Sequence, residues 1–597
     1  MKKLKFIYIV LLGSVGLLII VQACKKGYLD VDPQGSLNET VLANKIGVEG
    51  LLIGAYAKLG GSINWGSAPS NWVFGSVVAG DSYKGSTPSD QPAINPLAAW
   101  AYNPNNNYLN EKWTNAYNGI GRANETIRMI PKATDLTPDE VKRITAEARF
   151  LRGFFHFELK KVFNNIPYVD EKITNADKNT NVSNVDATGA YVNAWPQIEA
   201  DLQFAADNLP ESHGSQVGRA NKWAAMAYLA KAFLFQDKYA QAKPLFDQII
   251  LNGKTAGGVK YTLVNYFSNF NPQQDNNAES VFSYQASVND GSGTNGNYGD
   301  VLNYPNSGGP GGCCGFFNPS ITLANAFKTD AAGLPLLDTY NAGNNVSSPT
   351  SPYVGNLDPR VDLVAGRKGI PYLDWGNHPG DAWIRDPGVN GWMSPRKTVY
   401  AKSQAGLVST ETSFWGPTQI DAGNVNLMRY SDVLLMAAEA EIEIGSAVKA
   451  LEYVNLVRKR AADPTGWVYK NSEYDAATAK YKTQATPADT YLIAEYPAGA
   501  FGNKAFARKA IMFERFIELG QEGHRFFDLQ RWDNGTGLMA NTLNAYATVE
   551  KTRSGHFSVN PTATFEKDKD EFYPLPQNQI DQANSFGPIV LKQNPGY

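Results

Sequence analysis

Residues 511–532, with the sequence IMFERFIELGQEGHRFFDLQRW, combine a helical hydrophobic pattern with an aromatic-rich end. The apolar positions that recur at helical spacing are Met512, Phe513, Phe516, Ile517 and Leu519. Glu514, Glu518 and Gln521 fall on the opposite side, so the pattern predicts an amphipathic helix packed against a core on its apolar face. Gly520 and Gly523 are predicted to end this helix, and the rings that follow need to pack or to bind something.

Other stretches repeat the helical pattern at intervals along the chain. Helices are predicted over residues 41–59, 111–130 and 146–169, with a capping pattern, TPDE, at residues 137–140 before the last of these. Residues 221–250 and 424–460 each predict a pair of helices, and Ala230 and Ala242 are spaced like Ala438 and Ala450. Small residues at this spacing resemble tetratricopeptide pairs, in which two helices approach closely. We therefore predict a mostly α-helical fold with few short strands.

The central region, about residues 261–423, lacks long periodic runs and is rich in Gly, Pro, Asn and Trp. Loops this long in a compact protein are usually functional. Three segments, 308–320, 372–386 and 391–400, concentrate rings, glycines and charged groups. We therefore expect the ligand-binding surface of the protein in this region.

The composition is that of a globular protein with many loops and unusually many rings. Charged residues make up 19% of the 597 positions and aromatic residues 12%, with 54 Gly and 33 Pro. The net charge of −3 provides no basic field for holding phosphates, which argues against nucleic acid as a partner.

The N-terminus is typical of a bacterial targeting segment. Basic residues precede an apolar run at residues 6–21, which is shorter than the roughly 20 residues that a membrane-spanning helix needs. The sequence VQAC at residues 21–24 resembles a lipobox, which predicts cleavage after residue 23 and a lipid anchor on Cys24. Ordinary secretory cleavage after Ala23 is the alternative, because Gln22 departs from the usual small residue.

No catalytic or metal-binding motif stands out. Gly80-Asp81-Ser82 has the form of a GDS hydrolase nucleophile block, but no histidine of the chain has Asp three residues before it. The sequence has no phosphate-binding loop, no HExxH motif and no zinc-type Cys/His spacing. Glu439 and Glu443 lie one helical turn apart, which predicts a solvated face. We expect no enzyme activity, no cofactor and no metal, although a glycosidase carboxylate pair can form from distant residues.

The loops do contain the side chains that a sugar site needs. Flat aromatic faces cover the C–H patches of a sugar ring, and carboxylate, amide or guanidinium groups bind its hydroxyls. The predicted ligand-binding residues are Asp81, Tyr83, Trp100, Tyr102, Cys313, Cys314, Phe316, Asp374, Trp375, Trp383 and Arg385. For each tryptophan, packing within the loop is the alternative, whereas Trp72 and Trp113 lie on helical or near-helical stretches and are expected in the core.

Cys313 and Cys314 are adjacent in a glycine-rich loop, and the chain has three cysteines in all. With Cys24 lipidated in an oxidising exterior, their only intramolecular partners are each other, so we predict a vicinal disulfide. The alternative is a pair of free buried thiols. Sulfurs beside Phe316 and Phe317 are expected to form a stiff apolar surface suited to a sugar face.

Several separated phrases of the chain resemble the SusD/RagB family of nutrient-binding lipoproteins. They are residues 28–37 (YLDVDPQGSL), 111–130, 146–169, 429–445 (RYSDVLLMAAEAEIEIG), 511–532 and 572–586 (FYPLPQNQIDQANSF). The resemblance implies a tetratricopeptide-like scaffold on one side and a sugar-capturing loop face on the other. It also implies an outer-membrane lipoprotein that delivers glycan to a TonB-dependent barrel transporter of the SusC type.

The expected organisation is a signal peptide at residues 1–23 and one SusD-like unit at residues 24–597. Within that unit we predict an N-terminal helical part (24–250), a loop-rich ligand-binding part (251–423) and a C-terminal helical part (424–597). Three alternatives to glycan capture remain: a peptide-binding member of the same family, a surface glycoside hydrolase or esterase, and an assembly protein that binds its barrel but no sugar.

Overall fold

A computed structural model describes residues 39–61, 65–174, 181–292, 295–409, 419–482, 486–585, 587 and 590–597. The predicted signal peptide, Cys24 and the family phrase at residues 28–37 lie outside these residues. The described chain is mostly helical with few short strands, which confirms the predicted fold class. Its α-helices are α1 (Glu39–Leu42), α2 (Lys45–Tyr56), α3 (Ile94–Ala98), α4 (Asn107–Met129), α5 (Pro138–Phe163), α6 (Trp195–Asn208), α7 (Lys222–Leu234), α8 (Tyr239–Asn252), α9 (Ile321–Ala326), α10 (Val361–Val364), α11 (Pro387–Asn390), α12 (Tyr430–Ile444), α13 (Ala447–Ala462), α14 (Lys504–Glu518), α15 (Arg525–Asp533), α16 (Leu538–Glu550) and α17 (Gln577–Asn584).

The strands pair only as two-stranded antiparallel ribbons in the part of the chain that the structure describes. Strand β1 (Ser280–Tyr284) pairs with β4 (Val425–Arg429), β2 (Ala365–Arg367) with β3 (Met393–Pro395), and β5 (Tyr474–Asp475) with β6 (Lys480–Tyr481). The β1–β4 ribbon pairs a strand from the start of the loop-rich region with the strand that leads directly into α12. The β1–β4 ribbon therefore connects segments that lie far apart in sequence, whereas β5 and β6 are close neighbours along the chain.

The helices form a continuous array of antiparallel neighbours. Helices α4 to α8 each pack on the next one, α8 then packs on α12, and α12 packs on α13 and α14. Ala230, Ala242, Ala438 and Ala450 are all fully buried, which the close approach of the paired helices requires. The predicted tetratricopeptide-like pairs are therefore α7–α8 and α12–α13.

Helix α5 begins where the capping pattern predicts. Thr137 is its N-cap, the Glu140 backbone N–H donates to the Thr137 hydroxyl, and the Glu140 carboxylate accepts the Thr137 backbone N–H at 3.0 Å. This reciprocal capping box satisfies amides that the first helical turn leaves without partners. As expected, Trp72 and Trp113 are buried, at 0% and 4% exposure.

Helix α14 lies between the two hydrophobic cores of the molecule. Ala507, Ala510 and Ile511 belong to the core of the helical parts. Phe513 and Phe516 belong to the core of the loop-rich part. The helix ends at Glu518, close to Gly520, and Phe526 and Phe527 of α15 are buried. The family helix therefore joins the scaffold to the loops.

The side of α14 that the pattern places away from the core is also buried, which corrects the prediction of a one-sided amphipathic helix. Glu514 and Glu518 are both 0% exposed and Gln521 is 4% exposed. Four guanidinium groups neutralise the two glutamates. The contacts are Glu514 with Arg360 at 2.7 Å and Arg458 at 2.9 Å, and Glu518 with Arg360 at 2.8 Å, Arg429 at 2.6 Å and Arg460 at 2.5 Å. Hydropathy cannot recognise this face because the arginines come from distant segments.

Glu439 also departs from its prediction of a solvated position. It is 6% exposed, and its carboxylate accepts hydrogen bonds from the Arg531 guanidinium and, at 3.0 Å, from the Trp532 indole N–H. Glu443, one turn further on, pairs with Lys504 and Arg508, whose side chains are half exposed. The two glutamates therefore serve to join α12 to α15 and to α14, respectively.

Candidate functional site

The structure separates the predicted site residues into an interior group and a surface group. The surface group lies on loops of the central region, and we call it the loop face. It consists of Cys313, Asp374, Trp375 and Arg385, which are all partly exposed. Trp383, which we also predicted as a site residue, is buried at 8% exposure and belongs to the core of the loop-rich part.

Trp375 and Asp374 are held in place by the segment that follows Tyr400. The Trp375 indole N–H donates to the Tyr400 carbonyl at 2.9 Å, and the Ser403 backbone N–H donates to the Asp374 carboxylate at 2.8 Å. The Lys402 ammonium lies 6.0 Å from the centre of the Trp375 ring. These contacts fix the ring orientation through its polar edge, and the residue as a whole stays partly exposed.

Trp383 and Arg385 lie against the glycine-rich loop that carries the two cysteines. The Asn306 backbone N–H donates to the Trp383 carbonyl at 2.8 Å, and a Cβ on Gly315 would meet the Arg385 Cβ at 3.0 Å. Gly315 also has φ +77°, so it is needed both for its backbone angle and for this close approach. The Arg385 guanidinium pairs with Asp90 at 2.9 Å while its side chain stays 40% exposed.

Cys313 and Cys314 are joined as a vicinal disulfide in the structure. Cys313 is partly exposed and Cys314 is 4% exposed, and the Gln419 side-chain amide donates to the Cys313 carbonyl. The neighbouring rings do not form the surface that we expected. Phe316 and Phe317 are buried, at 0% and 1% exposure, and they pack against Trp72. Cys313 is therefore the predicted site residue of this segment that belongs to the loop face, whereas Cys314 and Phe316 are buried.

The interior group comprises Asp81, Tyr83, Trp100, Tyr102 and Phe316, and the structure does not support ligand contact by any of them. Tyr83 is fully buried and its hydroxyl donates to Glu550, while the Trp100 indole N–H donates to the Val78 carbonyl at 2.9 Å. Tyr102 packs on Tyr573 with ring centres 4.5 Å apart. These rings lie in loops by sequence but in the core by structure.

Asp81 is likewise an interior residue. Its carboxylate accepts hydrogen bonds from the Ser76 hydroxyl and the Gln521 backbone N–H, both at 3.1 Å. Burial raises the pKa of Asp81 to about 6. These contacts join the early loop to the end of α14, so Asp81 has a packing role in this structure.

Two residues near the predicted site were not expected from the sequence. Asp90 pairs with Arg385, and Lys402 lies beside Trp375. Neither residue lies in a motif, and only the fold brings them to the loop face. No sequence pattern predicted a large groove of about 800 Å³ either, which is lined by residues that include Tyr284, Tyr298, Gln285 and Arg219. The polar groups of this groove already have internal partners: Arg219 pairs with Glu49 and Glu147, and Gln285 bonds to Asn276.

Metal-ligand clusters and membrane-spanning helices also bear on function. No group of three or more His, Cys, Asp or Glu side chains is arranged to hold a metal ion in those segments. No helix within the same segments is both long and apolar enough to cross a bilayer.

Comparison with known proteins assigns the chain to a family. The model of the SusD family matches residues 278–597, and a second model, described as starch-binding associating with outer membrane, matches residues 27–234. A curated relative, SusD-like protein P2 of Formosa agariphila, is 24% identical over 612 aligned positions that cover 100% of both chains.

Solved structures with the same fold include a laminarin binding SusD-like protein and surface glycan-binding protein A from Bacteroides fluxus. The first is 22% identical, with a TM-score of 0.60 and coverage of 93% of this chain and 100% of the other. The second is 20% identical, with a TM-score of 0.58 and the same coverage. Because the SusD family model matches more than half of the sequence and the helical scaffold has the same fold, this chain belongs to the SusD family.

Proposed function

We propose that the protein captures an oligosaccharide or polysaccharide on the loop face and delivers it to a SusC-like TonB-dependent transporter. The observation that carries the proposal is that Trp375, held by its indole N–H, stays partly exposed beside Asp374, in the same loop-rich part as the partly exposed Arg385. An aromatic platform with a carboxylate and a guanidinium nearby fits a neutral sugar chain.

Membership of the SusD family supports an outer-membrane location and glycan binding without catalysis. One matching family model carries the words starch-binding and outer membrane in its description, and two fold neighbours are titled as glycan-binding proteins. We propose that the chain is a lipoprotein anchored through Cys24 on the outer membrane, and that it binds glycan without cleaving it. The N-terminal sequence VQAC supports the anchor.

The first experiment is affinity electrophoresis of the purified full-length protein in native detergent gels that contain single polysaccharides. Laminarin and starch come first, because they match the wording of a fold neighbour and of a family model. We expect retardation by one polymer whose chain length is unchanged after incubation. A shortened polymer would indicate a hydrolase. If no plant, fungal or host polysaccharide retards the protein, the result would favour peptide capture or a role in transporter assembly.

Matched variants then distinguish the loop face from the large groove. Trp375→Ala and Arg385→Ala are expected to weaken glycan affinity at least tenfold together, since loss of a central aromatic or arginine contact costs about 2 kcal/mol or more. Tyr298→Ala, a half-buried ring of the large groove, is the control and is expected to leave affinity unchanged. The reverse pattern would place the glycan in the groove and reject the loop face.

A further inference from the structure

A second groove, which we call the scaffold groove, lies between the N-terminal and C-terminal helical parts. Its volume is about 600 Å³, and among the described residues none of those that line it belongs to the loop-rich part, residues 251–423. Its wall is formed where α5, α7 and α15 end and by two later segments, residues 568–572 and 594–595. Small-molecule sites commonly have volumes of about 300–1,000 Å³, so the scaffold groove has room for a short saccharide.

Hydrogen bonds between distant segments fix the wall of the scaffold groove. The Asn534 side-chain amide donates to the Asp237 carboxylate at 2.6 Å and joins the end of α15 to the turn between α7 and α8. The Gln530 side-chain amide donates to the Lys161 carbonyl at 2.9 Å and joins α15 to α5. The groove is therefore formed by the protein itself, which lowers the entropy cost of binding a ligand.

Three partly exposed aromatic rings line the scaffold groove. They are Tyr191, Phe235 and Phe572. The Tyr191 hydroxyl donates to the Gln593 carbonyl at 2.5 Å, so this ring is held through its polar edge. Phe235 is held by packing, with its ring centre 5.1 Å from that of Phe157. Fixed rings of this kind suit the C–H faces of sugars.

Two buried carboxylates, Asp533 and Glu571, also line the scaffold groove, at 3% and 8% exposure. Asp533 Oδ1 accepts the Met539 backbone N–H at 2.8 Å, and Glu571 Oε1 accepts the backbone N–H of Asp568 at 3.1 Å. No other described residue donates a hydrogen bond to Asp533 Oδ2 or to Glu571 Oε2. Because buried carboxylates normally have several donors or a cationic partner, these two oxygens indicate a ligand that donates hydrogen bonds.

The cations of the scaffold groove are bound to other groups. Arg531 binds Glu439, and Lys569 binds Glu566 at 2.9 Å. Within the described segments, neither of the two buried carboxylates forms a salt bridge. Burial raises the pKa of Glu571, and the neighbouring negative charges act in the same direction. The negative charge of the groove is therefore not compensated by the protein.

Most amide donors of the wall are also used. The side-chain amide of Asn165 donates to the Asn594 side-chain oxygen at 2.9 Å, and that of Asn594 donates to the Phe163 carbonyl at 2.7 Å. The C-terminal ends of three helices meet here, and such ends carry partial negative charge on their carbonyl groups. The scaffold groove therefore offers a ligand mainly acceptors, and it favours hydroxyl or ammonium groups over acid groups.

We propose that the scaffold groove binds a saccharide that carries amino or hydroxyl donors and no acid group. Tyr191, Phe235 and Phe572 provide the faces for the sugar rings. Asp533 and Glu571 accept hydrogen bonds from the donors of the ligand. An ammonium group is the strongest partner, because it also neutralises the buried negative charge, whereas an acid group adds to that charge.

This binding is separate from capture on the loop face and does not depend on it. The two surfaces share no residue, since the loop face belongs to the loop-rich part and the described lining of the scaffold groove does not. Variants of one surface are therefore expected to leave binding at the other unchanged.

Isothermal titration calorimetry of the purified full-length protein tests the proposal with three matched ligands. These are β-1,4-linked trimers of glucosamine, glucose and glucuronic acid, which share one backbone and differ in donors and charge. The buffer contains EDTA, which keeps metal ions off the carboxylates. We expect the glucosamine trimer to bind most tightly, the glucose trimer to bind more weakly, and the glucuronic acid trimer not to bind.

Asp533→Asn and Glu571→Gln are each expected to lower the affinity for the glucosamine trimer at least tenfold, because each removes a charged acceptor. Asp207→Asn, at an exposed position of α6, is the control and is expected to bind as the wild type does. Trp375→Ala, which changes the loop face, is also expected to leave this affinity unchanged. Failure of the scaffold groove and failure of the loop face therefore appear in different variants.

Several results would overturn the scaffold groove as a saccharide site. They are a wild-type chain that binds none of the trimers at millimolar concentration, equal affinity for the glucuronic acid and glucosamine trimers, unchanged affinity in Asp533→Asn and Glu571→Gln, or loss of binding in Trp375→Ala. If an acid variant fails to fold, Phe572→Leu provides the second measurement, because it removes a partly exposed ring and keeps an apolar side chain. Unchanged affinity in Phe572→Leu would likewise reject the site.

Discussion

At the scale of single residues, burial decides what the aromatic and charged side chains of this protein do. Trp375 and Trp100 both lie in ring-rich loops of the sequence, yet the first is partly exposed and the second is 3% exposed. Trp100 is buried because Phe557 and Phe565, which come from the far C-terminal part, pack against its ring. Neighbouring sequence therefore could not distinguish a partly exposed tryptophan from a core tryptophan.

The oxidation state of Cys313 and Cys314 gives the first residue-scale prediction. Thiol titration of the full-length protein, unfolded without reductant, is expected to find no reactive thiol from these two residues, because each sulfur is bonded to the other. The same titration after reduction should release two thiols per chain and serves as the control. Two thiols before reduction would contradict the disulfide.

The buried carboxyl of Asp421 gives the second residue-scale prediction. Its pKa is raised to about 7, whereas an unfolded Asp has a pKa near 3.9, so the folded state binds more protons between these values. Its contribution to the free energy of unfolding therefore becomes less favourable as the pH rises from about 4 to above 7.

Urea unfolding in EDTA at a series of pH values measures this pH dependence of the free energy of unfolding. Relative to the wild type, Asp421→Asn is expected to gain stability of about 1–3 kcal/mol at pH 8 and to lose that advantage progressively as the pH falls to about 4, near the pKa of the unfolded carboxyl. Asn can still bond to both Tyr304 and the Gly423 N–H. An advantage that is independent of pH would show that the carboxyl does not titrate in this range.

At the scale of elements, α14 shows how a helix can be buried on both sides. One side packs by apolar contact, and the other carries Glu514 and Glu518 into a set of four arginines. Burial alone would raise the pKa of Glu518, but the arginines hold its pKa well below the usual range. The charge of α14 therefore depends on residues from α13, from the segment before α10 and from β4.

Removal of one carboxylate tests how much the ion pairs of Glu514 and Glu518 with the four arginines contribute to stability. Glu518→Gln removes one carboxylate from three buried guanidinium groups, each of which keeps another carboxylate partner, so we expect a loss of about 1.5–3 kcal/mol in the free energy of unfolding. Glu443→Gln is the matched control on α12, because its partners Lys504 and Arg508 are half exposed, and we expect it to cost less than about 1 kcal/mol. Chemical denaturation of both variants measures the difference, and equal losses would contradict the role assigned to the network.

At the scale of the whole molecule, contacts run across the three parts into which we divide the chain. Arg360 of the loop-rich part binds Glu514 and Glu518 of the C-terminal part, and β1 pairs with β4 across the same division. The N-terminal part contributes Lys231, which binds Asp432 of α12 at 3.1 Å. The divisions at residues 250 and 423 remain predictions and describe composition more than separate cores.

These cross-contacts predict one cooperative unfolding transition. Helix content followed by circular dichroism and tertiary packing followed by tryptophan fluorescence, to which scaffold and loops both contribute, are expected to give coincident curves in denaturant, because α14 belongs to both cores. Glu518→Gln, which weakens the link between them, is the variant in which the two curves are expected to separate. Two well-separated transitions in the wild type would show that the scaffold and the loops fold independently.

Local sequence was sufficient for the features that depend on local physics. The capping box at Thr137, the helix pairs around Ala230 and Ala438, and the C-terminal end of α14 follow from hydrogen-bond capping, helical periodicity and glycine position, which involve residues within one or two turns. The start of α14 at Lys504 lies seven residues before the predicted stretch. The composition of the central region likewise indicated where the long loops lie.

Only the tertiary structure decided which polar and aromatic groups are inside. The partners of Glu514, Glu439, Asp81 and Trp100 come from segments dozens to hundreds of residues away, and desolvation depends on those partners and not on the neighbouring sequence. Periodicity records how a residue relates to its own helix, whereas burial and charge pairing record how distant segments meet.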